Sequence, residues 1–498
     1  MKIAMIPAAG SSTRFRELGK QYAKTVLPFE GRPIICHIIE GLESAHQFDR
    51  FYIVVNNKLH LEQIDEALNS LHIDRTRVEI VQIDERFEAL RPGPGLTITL
   101  GAAQIPYEDY ELFVHLSDSL FDYSLVAQMK PGDVSYQMEA DSSRWCIADD
   151  SGPVIKYHDK QSIPGSHKAL SGLYYFAKPP TEVKANADGE TQISGILQLI
   201  KNTRLVEVPI LKDFGTIAEY NACRGISKTR SFNRLEDCGG YVKKSGTNAE
   251  SDAKVDSEAT WYLSLPVSMK RYAPAVYETS FGSVSMEKIC STNLRDLALY
   301  LDRSENTWNE VFDSVNEFLD SALIPDNGGQ RFLREMVSKT WSRSQILPAG
   351  IGDKKEIATF VNDLSALVDQ APHGSRLIHG DLHFANMFYD FNYKRLQLVD
   401  PRGALYGSQY YDIAKLYQSA ISDYDWIDAE LYVGDKLYNK GREGIAAAFQ
   451  SKILSRYSDF ERRLIRQLAA SLFLSMIPLH SHNRKNQELF YQKFLELK

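Results

Sequence analysis

The sequence predicts an α/β chain built as two domains, and three observations lead there. Its 498 residues exceed the roughly 250–300 that a single hydrophobic core serves. Its first part alternates short apolar runs with amphipathic helical stretches, the pattern of a sheet covered by helices. Near residue 225 the character changes to a hairpin, a polar helix and a long, mostly helical remainder.

The elements follow in order. KIAMIP reads as a strand, and PIICHIIEGLESA as a helix with one apolar face. FYIVVNN, VEIVQI and LFVHLS are short, continuous and rich in β-branched or aromatic residues, as strands buried on both faces are. The alternation implies a mixed, mostly parallel sheet in a domain over residues 1–226. RSFNRLEDCGGYVKKSG then predicts a β-hairpin around a Gly-Gly turn. The polar stretch TNAESDAKVDSEA leads into a helix. From about Asn293 helical periodicity dominates, as in WNEVFDSVNEFLDSALI and FERRLIRQLAASLFLSM. The second domain is therefore expected over 227–498, with a smaller α+β lobe at about 227–292 and a larger helical lobe at about 293–498.

Composition narrows the function. Hydrophobic residues make up 43% and charged residues 24%, enough apolar content for a full core in each half. A formal net charge of -8 argues against a nucleic-acid partner, which calls for a basic face, yet leaves room for a local basic pocket for phosphates and for acidic residues on metal ions. No apolar run approaches the roughly 20 residues that span a bilayer, so no membrane partner is expected. The opening MKIAMIPAAGSSTRF lacks the longer apolar segment and cleavage site of a signal peptide, and a cytoplasmic location is expected. Cys36, Cys146, Cys223, Cys238 and Cys290 are scattered, odd in number and without CxxC spacing, which reads as free thiols in a reducing compartment and no zinc site. A homo-oligomer stays open.

The first chemical signal is PAAGSSTRF, directly after the first strand. Ala8, Ala9 and Gly10 let the backbone approach a ligand. Ser11, Ser12 and Thr13 add N–H groups and hydroxyls, and Arg14 adds a guanidinium suited to bidentate phosphate binding. Together they outline a triphosphate cradle. With KQYAKTVLPFEGRPII behind it, this stretch resembles the sugar-phosphate nucleotidyltransferase family, whose Rossmann-like fold the resemblance implies for residues 1–225. The family's phosphate-binding lysine falls on Lys24, with Ala23 where proline is usual. VHLSDSLFD resembles the element carrying the family's metal-binding aspartate, here Asp118, with Ser117 in place of glycine. KYHDKQSIPGSHKALSGLYYF resembles the sugar-phosphate element and implies Asp159, Lys160 and Gly172 as substrate contacts, with Gln161 where proline is usual. LKDFGTIAEYNAC matches the late Asp-x-Gly-Thr element and implies Asp213 as a second metal carboxylate. The chemistry needs these types. A phosphate oxygen attacks the α-phosphorus of a nucleoside triphosphate, pyrophosphate leaves, and cations must neutralise the crowded charge.

The second signal is RLIHGDLHFANMFYD followed by LQLVDPRG. Phosphoryl transfer from ATP needs a carboxylate at the acceptor hydroxyl and oxygen ligands on Mg²⁺. Asp381 fits the base, and Asn386 and Asp400 the ligands. The run resembles the catalytic loop of the aminoglycoside phosphotransferase and choline kinase family, a branch of the protein-kinase-like fold. The resemblance covers roughly 228–498 and implies a two-lobed domain. His379 and His383 are expected to be structural or substrate-lining, and Asp412, in YGSQYYDIAKLYQSA, to buttress the loop. In the smaller lobe VKKSG offers Lys243 or Lys244 for the ATP phosphates, with Lys243 preferred because it follows Val242, and Glu258 is the expected ion-pair partner. Cys238–Gly240 is the one candidate for a glycine-rich loop. Arg402 could bind a phosphate or an acidic acceptor, or pair with a structural carboxylate. Tyr417, Tyr424, Trp426 and Tyr432 could stack on a sugar, surround an ammonium or pack a core.

The two signals combine into one reading. A kinase domain phosphorylates a small acceptor with ATP and Mg²⁺, and a Mg²⁺-dependent nucleotidyltransferase domain couples that phosphate to a nucleotide from CTP, UTP, GTP or dTTP. The expected acceptor is a sugar phosphorylated at its anomeric hydroxyl, for a surface polysaccharide or glycan precursor. Two alternatives stay open: an amino alcohol such as choline with a cytidylyl product, and an active kinase carrying a degenerate, regulatory N-terminal domain.

Overall fold

The computed structural model describes residues 1–10, 12–70, 73–83, 93–140, 143–186, 189–200, 202–224 and 233–498. The chain divides into two compact units, Met1–Ser227 and Lys228–Lys498. The boundary expected between 226 and 227 lies within 225–232, outside the described residues. No helix among the described residues is long and apolar enough to cross a membrane.

The first unit alternates strand and helix: β1 (Lys2–Pro7), α1 (Ile34–Ala45), β2 (Arg50–Val55), α2 (Lys58–Ser70), β3 (Val78–Gln82), α3 (Pro94–Ala103) and β4 (Glu111–His115). There follow β5 (Ser119–Phe121), β6 (Asp133–Glu139), β7 (Cys146–Asp149), β8 (Lys156–Asp159), β9 (His167–Phe176), β10 (Arg204–Glu207) and β11 (Ile210–Asp213). A nine-stranded sheet runs β8-β7-β9-β4-β1-β2-β3, with β6 against β9 and β10 against β6. It is parallel from β4 through β3. It is antiparallel wherever β9 meets β4, β6 and β7, so it is evenly mixed rather than mostly parallel.

The apolar runs are explained by two buried faces. Side chains alternate across a strand. Met5, Tyr52 and Val114 therefore join Ile98 of α3 on one face. Phe51 and Phe113 meet Phe48 on the other, and Tyr175 meets Phe113, with ring centroids 5.3–5.7 Å apart. Each such ring contributes about 1.5–3 kcal/mol on burial. α3 lies so close to the sheet that a Cβ on Gly101 would stand 2.6 Å from Val54. Because β1 and β4 are parallel neighbours, the loops that leave their C-terminal ends lie side by side, and in open α/β sheets that edge receives ligands.

The second unit opens with β12 (Asn233–Asp237), β13 (Tyr241–Gly246), α4 (Ala249–Ser264), β14 (Val276–Ser280) and β15 (Ser283–Glu287). The strands form an antiparallel sheet in the order β12-β13-β15-β14. The expected hairpin turns at Gly239, whose φ of 85° only glycine adopts freely. Asn248 and Ser251 cap α4 reciprocally. The remainder is mostly helical: α5 (Glu305–Leu319), α6 (Gly328–Ser344), α7 (Lys354–Asp369), α8 (Gln409–Ala420), α9 (Asp459–Met476) and α10 (Arg484–Leu497). Between α7 and α8 the short strands β16 (Met387–Asp390) and β17 (Arg395–Leu398) pair antiparallel and carry the HGDLHFAN and DPRG segments on their flanks.

Trp308 of α5 couples this scaffold to the loop. Its ring is fully buried 4.6 Å from that of Phe384, and its indole N–H donates to the Asp302 carbonyl at 2.9 Å. Trp308→Ala is expected to cost about 3–5 kcal/mol of stability in urea denaturation, because the loop residue Phe384 loses its packing partner.

Candidate functional site

In the first unit the sheet edge opens onto a cavity of about 810 Å³. Ala9, Gly10, Ser12 and Arg14 of the loop after β1 line it. Ser12 sits at a positive φ of 53°, and its carbonyl accepts the Phe15 N–H at 2.8 Å, which closes the loop into a short turn at Thr13–Phe15. Ala8 does not line the cavity: its N–H is spent on the Val54 carbonyl at 2.7 Å and ties the loop to β2. That corrects its expected nucleotide contact. Ser11 and the Thr13 side chain lie outside what is described.

Lys24 reaches across this cavity to Asp118, Nζ to Oδ2 at 3.0 Å. Ala23, where proline was usual, has φ -58°, the value proline would impose. Its N–H, which proline would lack, donates to Gln63 at 2.8 Å. The turn before Lys24 thus survives the substitution. Asp118 and Asp213 are brought together by the pairing of β5 with β11, in which the Phe214 N–H donates to the Asp118 carbonyl at 2.7 Å. Desolvation pushes the Asp118 carboxyl up, but Lys24, His115 and Arg14 outweigh it and hold the group below the ordinary carboxylate range. Asp213 moves the other way: desolvation, then Glu219 and Asp118, raise it against the Gly215 N–H and Arg144. Two neighbouring carboxyls are thereby driven apart, with Asp118 the more firmly ionised.

Sequence reasoning missed Arg144. Its guanidinium bridges Asp213, at 3.2 Å, and Glu219, and stacks on Trp145 at 5.4 Å. Nothing in SSRWC marks that arginine out; only the fold brings it to Asp213. Asp159 and Lys160 both line the cavity. Asp159 accepts from the Ser194 hydroxyl, and Lys160 pairs with Glu190 at 3.4 Å. Gly172 does not line it. It is buried at φ 113° in the bulge of β9, where its carbonyl accepts the Leu116 N–H at 2.9 Å. Its expected substrate role is corrected to a backbone one; Leu170, Ser171 and Tyr174 face the cavity instead.

The second unit holds a second constellation. The Lys244 ammonium lies 2.5 Å from Glu258 and 2.6 Å from Asp400. Glu258 also accepts from the Tyr262 hydroxyl at 2.8 Å, and that hydroxyl accepts the Asp400 N–H at 3.1 Å. Lys243, the preferred lysine, is exposed, whereas Lys244 is 4% exposed. The correction follows from strand period: adjacent residues of β13 face opposite sides, and Lys244 shares the side on which α4 packs. Tyr262 stands one helical turn beyond Glu258, a spacing that could have flagged it.

Asp412 organises the loop. Its two oxygens accept the N–H groups of His379 at 2.7 Å and Gly380 at 2.8 Å. Asp381 receives the Lys415 ammonium at 2.9 Å and the Asn386 amide at its carbonyl, also at 2.9 Å. Desolvation pushes its carboxyl up, but Lys415 and His383 hold it well below the usual range. Lys415 was missed, although it follows Asp412 by one turn of α8. Asp400 adopts φ 59°, a left-handed conformation that aspartate tolerates. The His379 ring is buried, packed on Trp261 at 5.7 Å, and burial lowers it to about 4, so it stays neutral. Arg402 pairs with no structural carboxylate among the described residues; its guanidinium donates to the Tyr411 hydroxyl. Tyr424, Trp426 and Tyr432 are buried, and Tyr417 packs on Phe449 at 6.0 Å, so this stretch is core rather than an ammonium cage.

Neither constellation is a protein cage for a metal: among the described residues no cluster of three or more His, Cys, Asp or Glu side chains could hold one. The donor chemistry fits magnesium, which takes one or two carboxylates and fills its shell with water and substrate phosphates. Asp118 with Asp213, and Asn386 with Asp400, are the groups that would hold it.

Residues 4–131 match the sequence model of the MobA-like NTP transferase domain, and the N-terminal unit carries such a domain. The chain is 27% identical over 210 residues to the bifunctional protein GlmU of Methanocaldococcus jannaschii, covering 41% of this chain and 48% of that one. It spans about half the length of that relative. It is 22% identical over 214 residues to the UTP–glucose-1-phosphate uridylyltransferase AglF of Haloferax volcanii, covering 40% of this chain and 82% of that one. A structure of UDP-glucose pyrophosphorylase complexed with UDP-glucose aligns over 46% of this chain and all of its own, at 21% identity and a TM-score of 0.39.

The Asp412 carboxyl, fully buried, is pushed up to about 7 by desolvation, against the pull of the two N–H groups. The folded chain therefore keeps a proton that the unfolded chain has lost. This group's contribution to stability falls as pH rises from about 4 to about 7. Asp412→Asn is expected to flatten that part of the pH–stability curve, measured by urea denaturation at each pH.

Proposed function

We propose that the chain is a bifunctional enzyme whose C-terminal unit phosphorylates a small acceptor and whose N-terminal unit couples a sugar phosphate to a nucleotide. The observation that carries this reading is one arrangement built twice. In each unit a lysine rests on a carboxylate suited to magnesium, Lys24 on Asp118 and Lys244 on Asp400. Further phosphate-binding or proton-accepting groups stand around each. Glucose 1-phosphate and UTP, named for the Haloferax relative, support a sugar phosphate and a nucleoside triphosphate as the N-terminal substrates.

In the N-terminal unit the loop backbone at Ala9, Gly10 and Ser12 receives the triphosphate. Arg14 and Lys24 neutralise its β- and γ-phosphates, and Lys160 holds the incoming phosphate. One P–O bond forms between that phosphate and the α-phosphorus, the α–β bridge breaks, and pyrophosphate leaves with the bonding pair. No covalent enzyme intermediate is needed; positioning and fixed charge suffice. Magnesium, when bound by Asp118 and Asp213, supplies charge neutralisation and orientation of the phosphates.

In the C-terminal unit Lys244, fixed by Glu258, binds the ATP phosphates, and Asn386 and Asp400 would hold the metal. The acceptor oxygen bonds to the γ-phosphorus, the β–γ bridge breaks, and ADP leaves. The hydroxyl proton passes to Asp381. A carboxylate held this far below neutrality is a weak base, so its main service is to aim the hydroxyl. The phosphorylated product has the chemical form that the N-terminal unit uses, as a glycan precursor would. An intracellular site of action accords with both nucleotide substrates.

Asp118→Ala is expected to lower metal-dependent pyrophosphate release about 100-fold or more while ATP-dependent acceptor phosphorylation continues, and Asp381→Ala to do the reverse. Assay of both activities on the full chain checks this; one substitution abolishing both would refute two independent sites. The same assay separates out the regulatory reading, in which Asp118→Ala would change no chemistry.

A further inference from the structure

The C-terminal unit gathers more positive charge around the Asp381 loop than ATP accounts for. Arg402 packs against Gly380, the residue before Asp381: a Cβ built on that glycine would stand 2.7 Å from the Arg402 Cβ. The Arg402 N–H donates to the His379 carbonyl at 2.9 Å, and its guanidinium lies 5.7 Å from the centre of the Tyr411 ring. Tyr411 in turn packs on Phe332 of α6 at 5.3 Å. Lys339 and Arg343 lie two and three turns further along α6, on the same helical stripe as Phe332. Arg343 donates to the neutral Ser475 hydroxyl at 2.9 Å. The fourth cation, Lys415, stands on Asp381 itself.

Lys339, Arg343 and Arg402 form no ion pair with a carboxylate among the described residues. Their mutual repulsion registers on the groups themselves. The Lys339 ammonium is brought down to about 8 by burial and by Arg402, Arg343, Lys415 and Lys254. Arg343 is lowered by burial and by Arg402. Like charges drawn together from α6, from the turn after β17 and from α8 cost the fold stability. Their convergence beside a phosphoryl-transfer loop fits an anion brought there by the substrate.

We infer that Lys339, Arg343 and Arg402 clamp an anionic group of the acceptor, so that the substrate carries a carboxylate or a phosphate in addition to its reacting hydroxyl. This rests on the kinase reading of the C-terminal unit and narrows it. A sugar acid or a sugar already phosphorylated elsewhere fits the clamp. A quaternary ammonium such as choline is repelled by it.

The test uses the full chain with Mg-ATP and matched acceptors: glucose, glucuronate and glucose 6-phosphate; glycerol, glycerate and glycerol 3-phosphate; and choline. Anionic members are expected to exceed the neutral member of their series in kcat/KM by about tenfold or more. The uronate and phosphate arms distinguish the two sources of charge. Lys339→Met and Arg343→Met are expected to erase that preference, whereas Lys339→Arg keeps it; a merely structural defect would lower both members in proportion. Preference for a neutral acceptor or choline, or a preference that survives the double substitution, would overturn the clamp. Absence of any turnover, unchanged by Asp381→Asn, would instead sink the kinase reading. In that case calorimetric titration of glycerol 3-phosphate into the full chain still decides the clamp. Heat lost in the Lys339→Met/Arg343→Met chain supports it, and equal heat in both chains contradicts it.

Discussion

In both units a lysine ammonium lies on a carboxylate at the heart of the candidate site: Lys24 on Asp118 at 3.0 Å and Lys244 on Asp400 at 2.6 Å. Two unit charges about 3 Å apart attract by roughly 5 kcal/mol at an effective dielectric of 20. Desolvating each charge costs several kcal/mol. The pairs therefore hold only because the scaffold fixes both partners and supplies further hydrogen bonds. Around Lys244 that support is complete: Glu258, Tyr262 and the Asp400 backbone close a ring of contacts. Around Lys24 it is the turn at Ala23 and the strand pairing that sets Asp118 beside Asp213.

What the sequence made legible were groups whose chemistry is written within a few residues. The opening loop follows its strand directly, and HGDLHFAN holds the candidate base Asp381 and the candidate metal ligand Asn386 within a few residues. Strand and helix alternation was readable because both faces of the sheet are buried and the runs are therefore continuous. Register was not readable. VKKSG presents two adjacent lysines, and only the side of β13 that α4 covers decides for Lys244. The Gly172 segment likewise has a recognisable pattern, but its glycine serves the bulge of β9 and its neighbours face the cavity. Partners supplied from distant elements had no local signal. Arg144 lies about 70 positions from Asp213, and Lys339 and Arg343 stand on α6, a helix that packs on Tyr411 through Phe332.

On the proposed reading the two sites have complementary chemistry. One would make a phosphate ester and consume ATP; the other would consume a phosphate ester and release pyrophosphate. Joining them in one chain raises the effective concentration of one site around the product of the other. The departures at Ala23, Ser117 and Gln161 do not dismantle the N-terminal site. Ala23 keeps the backbone angle that proline would set, and Arg14, Lys24, Asp118, Lys160 and Asp213 all meet on one cavity.

The central claim is that the two chemistries act in sequence on one metabolite. Mass spectrometry of the products formed by the full chain from ATP, Mg²⁺, the common nucleoside triphosphates and a panel of neutral, acidic and phosphorylated sugars tests it most directly. The account predicts a nucleotide-linked sugar whose formation from the free acceptor needs both Asp381 and Asp118. A phosphorylated acceptor that never acquires a nucleotide, across a panel that includes the substrate the kinase turns over, would contradict it.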